Sequence, residues 1–352
     1  MSTRKAHPNL LDVARHAGVS PATVSRVLNN TAPVRPSVRE RVLASLKSLD
    51  YEPPSSRSPS SLVQSTIAVV LPDILNPFFT EIVRGIQDEA GPEHYMLSLF
   101  DTSEDPRIEQ QVLQMLAQRP VSGIISCASR LPNQDLIELA TKHDTPMVVI
   151  NRKIDHPGIP CVLLDFENGA YRATRHLLDL HHSRIAYFKG PVASEPSSAR
   201  RRGVEMAMAE AGLSLKPEWC PASFPNVDGG FQAMSALLAL AACDRPTAVI
   251  AYNDMMALGA LHAARAHHLR VPEEMSVVGF DDIAMAAHSN PPLTTVAQPK
   301  HRIGQLAMKI LRGTIQGDTF LGDGYTLLES SFVVRESTGP APLSNGHGVS
   351  VS

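Results

Sequence analysis

At 352 residues the chain is longer than one ordinary core requires, and two or three compact units are the natural expectation. With 43% hydrophobic and 19% charged residues it has the composition of a folded soluble protein; it offers no apolar run long enough to cross a membrane, and its polar, basic start is unlike a secretory leader, so a cytoplasmic protein with no membrane partner is expected. The net charge of −3 conceals a split, because the first 57 residues carry nine Lys/Arg against four acids, a net +5, while the remainder carries 23 against 31, a net −8. A basic head on an acidic body fits a polyanion-binding module joined to a domain with another task.

In chain order, Asn9 can cap a first helix over residues 10–16, with Asp12 in the first turn where the helix dipole favours an acid. Gly18 permits the turn that follows, and Ser20-Pro21 combines an N-cap oxygen with a proline at the first helical position, starting a second helix that reaches about residue 28. Pro36 opens a third helix over 37–49, whose Val38, Val42, Leu46 and Leu49 form one apolar stripe. Residues 1–52 therefore read as a small all-α head. Residues 53–66, rich in proline and serine, cannot bury a core and read as a hinge or linker. From residue 67, the runs IAVVL, YMLSLF, SGIISC, MVVI, RIAYF, TAVIA and MSVVGF alternate with helix-length segments. Short β-branched runs so spaced predict parallel strands with crossover helices, and about 260 residues of this alternation predict two doubly wound lobes with a cleft at the carboxyl ends of their strands. Residues 339–352 have no apolar period and are expected to be a disordered tail. The scattered Cys127, Cys161, Cys220 and Cys243 show no C-x-x-C spacing and read as reduced packing residues.

The strongest local signal is LLDVARHAGVSPATVSRVLN, residues 10–29. Val13, Ala14, Val19, Val24 and Val27 supply packing, which leaves Pro21, Ala22, Thr23, Ser25, Arg26 and Asn29 near or on the outward side of the second helix. That is a helix-turn-helix, whose second helix lies in the major groove of DNA. Arg26 is then the fork for guanine, Pro21 and Ala22 offer apolar contact, and Ser20, Thr23, Ser25 and Asn29 suit phosphate oxygens. The plain alternative is a helical hairpin used only for packing.

These motifs, continued by VRERVLASLKSLDYEP, IAVVLPDILNPFF, GIISC, YNDMMALGA, SVVGFDD and PPLTTVAQP in that order, resemble the LacI/GalR family of bacterial transcription regulators along nearly the whole chain. The resemblance implies a periplasmic-binding-protein-like core over 67–338 and a homodimeric repressor on a pseudo-palindromic operator. It further implies a small effector held between the lobes, a carbohydrate ahead of nucleobases and nucleosides. It places groove-reading residues at Pro21, Ala22 and Arg26, with Asn9 at the start of the head among the DNA-contacting positions. The effector positions it implies are Asn76, Phe78, Phe79, Asn151, Arg152 and Arg200, followed by Phe224, Asn253, Asp254, Asp281 and Gln298. In the family a hinge leucine wedges the minor groove; here Ser60 follows Pro59 at that place, so either Leu62 takes the role in a shifted register or there is no conventional wedge.

Several of these positions have plainer readings. Phe78 and Phe79 suit a core, Asp254 suits a helix cap, and one member of Arg200-Arg201-Arg202 is expected to be merely solvated. Asp281-Asp282 resembles a metal or acid–base pair, yet no partner follows at ligand spacing, and neither a nucleophile elbow nor a phosphate loop occurs. No metal, cofactor or enzymatic role is expected. His181-His182 and His267-His268 fall late in amphipathic helices, where exposure is the default. The competing classes are a sugar-binding or sugar-modifying protein with an idle head, and a DNA-coating protein without sequence preference.

Overall fold

The computed structural model describes residues 10–29, 34–49, 66–118, 121–143, 145–192, 194–318 and 324–342. Asn9, the expected hinge up to residue 65 with its Leu62, and the tail from residue 343 lie outside them, as do the side chains of Ala22, Ser25 and Asn29. The chain divides into two compact units, 1–62 and 63–352.

In the first unit, α1 (Leu10–Ala17), α2 (Pro21–Asn29) and α3 (Pro36–Ser48) surround a core of Val13, Ala14, Ala17, Val24, Val27 and Val42. Gly18, at φ 63°, makes the turn that a side chain would strain. Its amide donates to the Arg15 carbonyl at 3.2 Å, and Val19 N donates to the Ala14 carbonyl at 3.0 Å. Three helices this short are marginal alone and depend on the shared core.

The second unit contains the strands β1 (Thr66–Leu71), β2 (Met96–Asp101), β3 (Gly123–Cys127), β4 (Met147–Ile150), β5 (Cys161–Leu164) and β6 (Ile185–Phe188). They are followed by β7 (Ala248–Ala251), β8 (Ser276–Asp281), β9 (Thr294–Ala297), β10 (Tyr325–Leu328) and β11 (Ser331–Val333). They form two sheets, ordered β10-β5-β4-β3-β1-β2 and β11-β9-β8-β7-β6. The first is parallel throughout; the second is parallel except for β11, which runs antiparallel beside β9. Each sheet is the centre of one lobe. The helices are α4 (Pro77–Ala90), α5 (Pro106–Ala117), α6 (Asn133–His143), α7 (Phe166–Asp179), α8 (Glu195–Glu210), α9 (Val227–Leu238), α10 (Asp254–Ala266), α11 (Ala284–His288) and α12 (Lys300–Gln316).

The chain crosses between the lobes three times, from β5 into α7, from β9 into α12, and from β10 into β11. Helix α12 follows a strand of the second lobe but packs on α4 of the first. Glycine makes that approach possible: a Cβ at Gly85 would collide with the His301 carbonyl, and one at Gly304 with that of Ile82. Asp88–His301 at 2.8 Å and Glu89–Arg312 at 2.9 Å fasten the same pair of helices.

Four expectations change here. The first strand includes Thr66, one residue before the expected start of the core, because Thr66 already pairs with Met96. The first residues of the expected tail are tied down: Gly339 N donates to Ser276 Oγ at 3.1 Å and Ala341 N to the Leu180 carbonyl at 2.8 Å. That packing buries His182, expected to be exposed, and places its ring nitrogens 2.9 Å from Thr247 Oγ1 and 3.0 Å from both Ser276 Oγ and the Gly339 carbonyl. Cys127, Cys161 and Cys220 are buried, but Cys243 is exposed and is not a packing residue. Among the described residues no helix is long and apolar enough to cross a membrane, and no group of three His, Cys, Asp or Glu is placed to hold a metal.

Candidate functional site

The head offers a candidate helix face, and the core a candidate cavity between the carboxyl ends of its strands. In α2, Val24 and Val27 are buried, and Pro21 and Arg26 are exposed. Ser20 caps the helix: Thr23 N donates to Ser20 Oγ at 3.2 Å, and the two hydroxyls lie 2.9 Å apart. Both hydroxyls thus sit at the amino end of α2, where its dipole favours an anion.

In the core, loops at the carboxyl ends of the strands converge on a narrow cavity of about 20 Å³. Asn76 caps α4 by accepting from Phe78 N at 3.0 Å, which sets Phe78 and Phe79 edge to face with centroids 5.1 Å apart. Asn253 caps α10 by accepting from Met256 N at 2.9 Å, while its Nδ2 donates to the Pro225 carbonyl at 2.9 Å. Glu104, Ala128, Asn151 and Asp281 line the cavity with φ of 61°, 46°, 60° and 121°. Left-handed backbone is costly for residues with a side chain, and its concentration here marks a site held in a set shape by the surrounding fold.

Arg200, on α8, is 3% exposed. Its guanidinium carbon lies 4.1 Å from the ring centroids of Phe166 and Phe280 and 4.6 Å from that of Tyr252. Nη2 approaches Asp281 Oδ1 at 3.5 Å, whereas Nε and Nη1 are buried without a hydrogen-bond partner, as is Asn151 Oδ1. Unpaired polar atoms are expensive in a closed interior, and these three keep the capacity for a further hydrogen bond. Burial pushes the Asp281 carboxyl well above the usual carboxylate range, with Arg200 the largest opposing influence. Lys300 Nζ donates to the carbonyls of Asp281 and Asp282 at 2.8 and 2.6 Å, pinning the strained turn that aims Asp281.

The wall takes in Asn76, Phe78, Phe79, Asn151, Arg200, Asn253 and Asp281 from the expected set. Four expected positions stand off it. Arg152 turns aside to donate to Asn133 Oδ1 at 2.6 Å and the Ser129 carbonyl at 3.0 Å. Phe224 is an exposed ring on the loop before α9. Asp254 is buried behind the wall, accepting from Thr295 Oγ1 at 2.6 Å and Ile283 N at 2.8 Å, and burial raises it to about 6. Gln298 Oε1 accepts from Ser330 Oγ at 2.8 Å and so joins two of the crossovers. The reading missed Glu104, Phe166 and Tyr252 on the wall, and Arg130 behind it. Tyr252 immediately precedes Asn253 and was within reach of a local reading; Glu104 and Arg130 become partners only through the fold.

Residues 9–54 match the family described as bacterial regulatory proteins, lacI family, and residues 174–338 match the periplasmic binding protein-like domain. The HTH-type transcriptional repressor PurR of Aliivibrio fischeri (strain MJ11) is 36% identical over 307 residues, covering 85% of this chain and 89% of that protein. Among solved structures, the lac repressor dimer bound to operator and the anti-inducer ONPF is similar at TM-score 0.72 and 29% identity, over 95% of this chain and 100% of that one. The transcriptional regulator CelR in complex with cellobiose is similar at TM-score 0.70 and 31% identity, over 94% and 99%.

Proposed function

The chain belongs to the LacI family of bacterial regulatory proteins, and from that premise we propose that it is a DNA-binding transcriptional repressor whose operator affinity is set by a small polar metabolite held between its lobes. A homodimer places two α2 helices on the half-sites of a pseudo-palindromic operator, with Arg26 reading guanine and the hydroxyls of Ser20 and Thr23 positioned for phosphate. The effector is a sugar, with nucleosides the second choice. A relative bound to cellobiose and another bound to operator support the two halves of this reading.

The observation that carries the effector half is Arg200: a buried guanidinium with two unsatisfied donors, stacked among three rings beside a buried carboxylate. A structural ion pair has no need of open donors, whereas a binding site does. Ligand that prefers one lobe arrangement shifts the population of operator-competent dimers in proportion to its differential affinity. The proposal is tested by gel shift of the full chain on a selected operator and on shuffled DNA at one salt concentration, with and without ligand from a thermal-shift screen. Equal affinity for both DNAs defeats the repressor reading, and a selective complex that no cavity-binding ligand alters defeats the effector reading.

A further inference from the structure

Lys300 stands where local rules would not put it. It takes the first position of α12, the end at which a helix dipole disfavours a cation, and its side chain is 6% exposed. A buried ammonium is costly unless its partners compensate, so the reason for the placement lies in what it touches. Nζ donates to the carbonyls of Asp281 and Asp282 at 2.8 and 2.6 Å and lies 3.6 Å from Glu81 Oε1. These partners belong to different lobes. Glu81 is on α4, and α12 lies against α4 on the first lobe, where the close approach at Gly85 and Gly304 fixes the two helices together. Asp281 ends β8 of the second lobe, and Asp282 is secured there by Arg335, which donates to its Oδ1 at 2.7 Å and to the Leu293 carbonyl at 2.8 Å. One ammonium thus joins the two lobes beside the part of the wall that Asp281 supplies.

The cavity draws its walls from both lobes, Phe78, Phe79 and Asn151 from the first and Arg200, Tyr252 and Asp281 from the second. Its free space of about 20 Å³ has room for a water rather than a metabolite. Admitting a metabolite requires the lobes to part, and parting them separates the lysine from the turn it holds. Asp281 and Asp282 are consecutive residues at φ 121° and 54°, backbone that is costly for a residue with a side chain unless its surroundings enforce it. The two carbonyl bonds supply that enforcement only while the lobes are together. We infer that Lys300 is the latch of the cleft, a positioning residue that ties closure of the lobes to the strained turn and, through it, to the pose of Asp281 beside Arg200. The latch rests on the reading of the cavity as the effector site and adds the contact through which filling it is felt by both lobes.

The test is the distance between the lobes in the full chain without ligand, read by double electron–electron resonance between two spin labels. One label takes Cys243, exposed on the second lobe, while Cys127, Cys161 and Cys220 are buried; the other takes Gln134→Cys at an exposed position of α6 on the first. Labelled chain is diluted into excess unlabelled chain, so that distances within one chain are read. The unaltered protein shows a population at the distance of the closed arrangement. Lys300→Met raises the ratio of longer to closed distances by about tenfold or more, since two charge-assisted hydrogen bonds across the lobes are lost. Lys300→Arg, which can donate to both carbonyls, restores most of the closed population. Glu81→Lys, at a half-exposed position, repels the ammonium and shifts the ratio in the same direction, and it takes the place of Lys300→Met should that variant fail to fold. A lysine that merely caps the turn predicts lower stability at unchanged distances. That result, or an unaltered chain without a closed population, overturns the latch. The effector reading is judged separately, by the ligand screen on the unaltered chain, and stands whichever way the distances fall.

Discussion

Two arginines, Arg26 and Arg200, are proposed to perform recognition, and they stand in opposite conditions. Arg26 stands exposed on a nine-residue helix, and its proposed task is to meet a polyanion at a surface. Arg200 is sealed beneath three rings beside the Asp281 carboxyl, and its proposed task is to offer directed donors. The contrast teaches that a surface reader costs the fold almost nothing, whereas an interior reader is part of the fold's own stability.

The predictions follow from that asymmetry, beginning with the largest expected effect. Arg200→Met leaves Asp281 buried and unpaired, and chemical denaturation is expected to show a loss of about 3–5 kcal/mol together with loss of effector binding. A loss no larger than that of Arg26→Ala would erase the distinction. Asp254 provides a pH test of interior cost. Its folded value near 6 lies above the ordinary 3.8, so the folded state holds the extra proton between them, and this group's contribution to stability falls as pH rises through that window. The full difference is about 3 kcal/mol. Asp254→Asn can still accept from Ile283 N and removes the titration, so the difference between its stability–pH curve and the parent's isolates that term from His176 and His182. Those two histidines are shifted down by burial and act in the opposite sense, losing stability as pH falls through their unfolded range. A difference curve that stays flat from pH 4 to pH 6 would remove Asp254 from the account.

Lys300→Met tests whether the strained turn at Asp281–Asp282 depends on its cation. Two carbonyls lose their donor, and a cost of about 1–3 kcal/mol with weakened effector binding is expected, whereas Lys300→Arg should recover part of both. The smallest stability effect belongs to Arg26→Ala. It should stay within about 0.5 kcal/mol by denaturation while removing about 1–3 kcal/mol of discrimination between operator and shuffled DNA in competition gel shifts.

Which elements could be read from the chain follows from how local their causes are. The three head helices fall within one residue of expectation at each end, because their caps, prolines and apolar spacing lie in neighbouring positions. The runs expected as strands became β1 to β4 and β6 to β8, all apolar segments and all but the half-exposed edge strand β2 buried. Strands β5, β9, β10 and β11 escaped notice; β10 and β11, with half-exposed patterns, give no long apolar signal. The antiparallel pairing of β11 with β9 also lies beyond any local cue. In the cavity, positions directly after long strands were found, but Glu104 and Arg130, 26 residues apart, were not. His182 was misjudged because the segment that covers it, around Gly339, follows 157 residues later.

Taken alone, the amino-acid order determined the helices of the head, the alternating build of two lobes and the loops from which a ligand site would be made, since each depends on contacts or composition within a few turns of chain. Only the tertiary structure decided which buried ionisable groups pair, which donors remain open, and that Arg152, Phe224, Asp254 and Gln298 stand off the cavity wall. Charge balance in an interior is a property of distances across the fold, and those are set only when strands distant in sequence come to lie side by side.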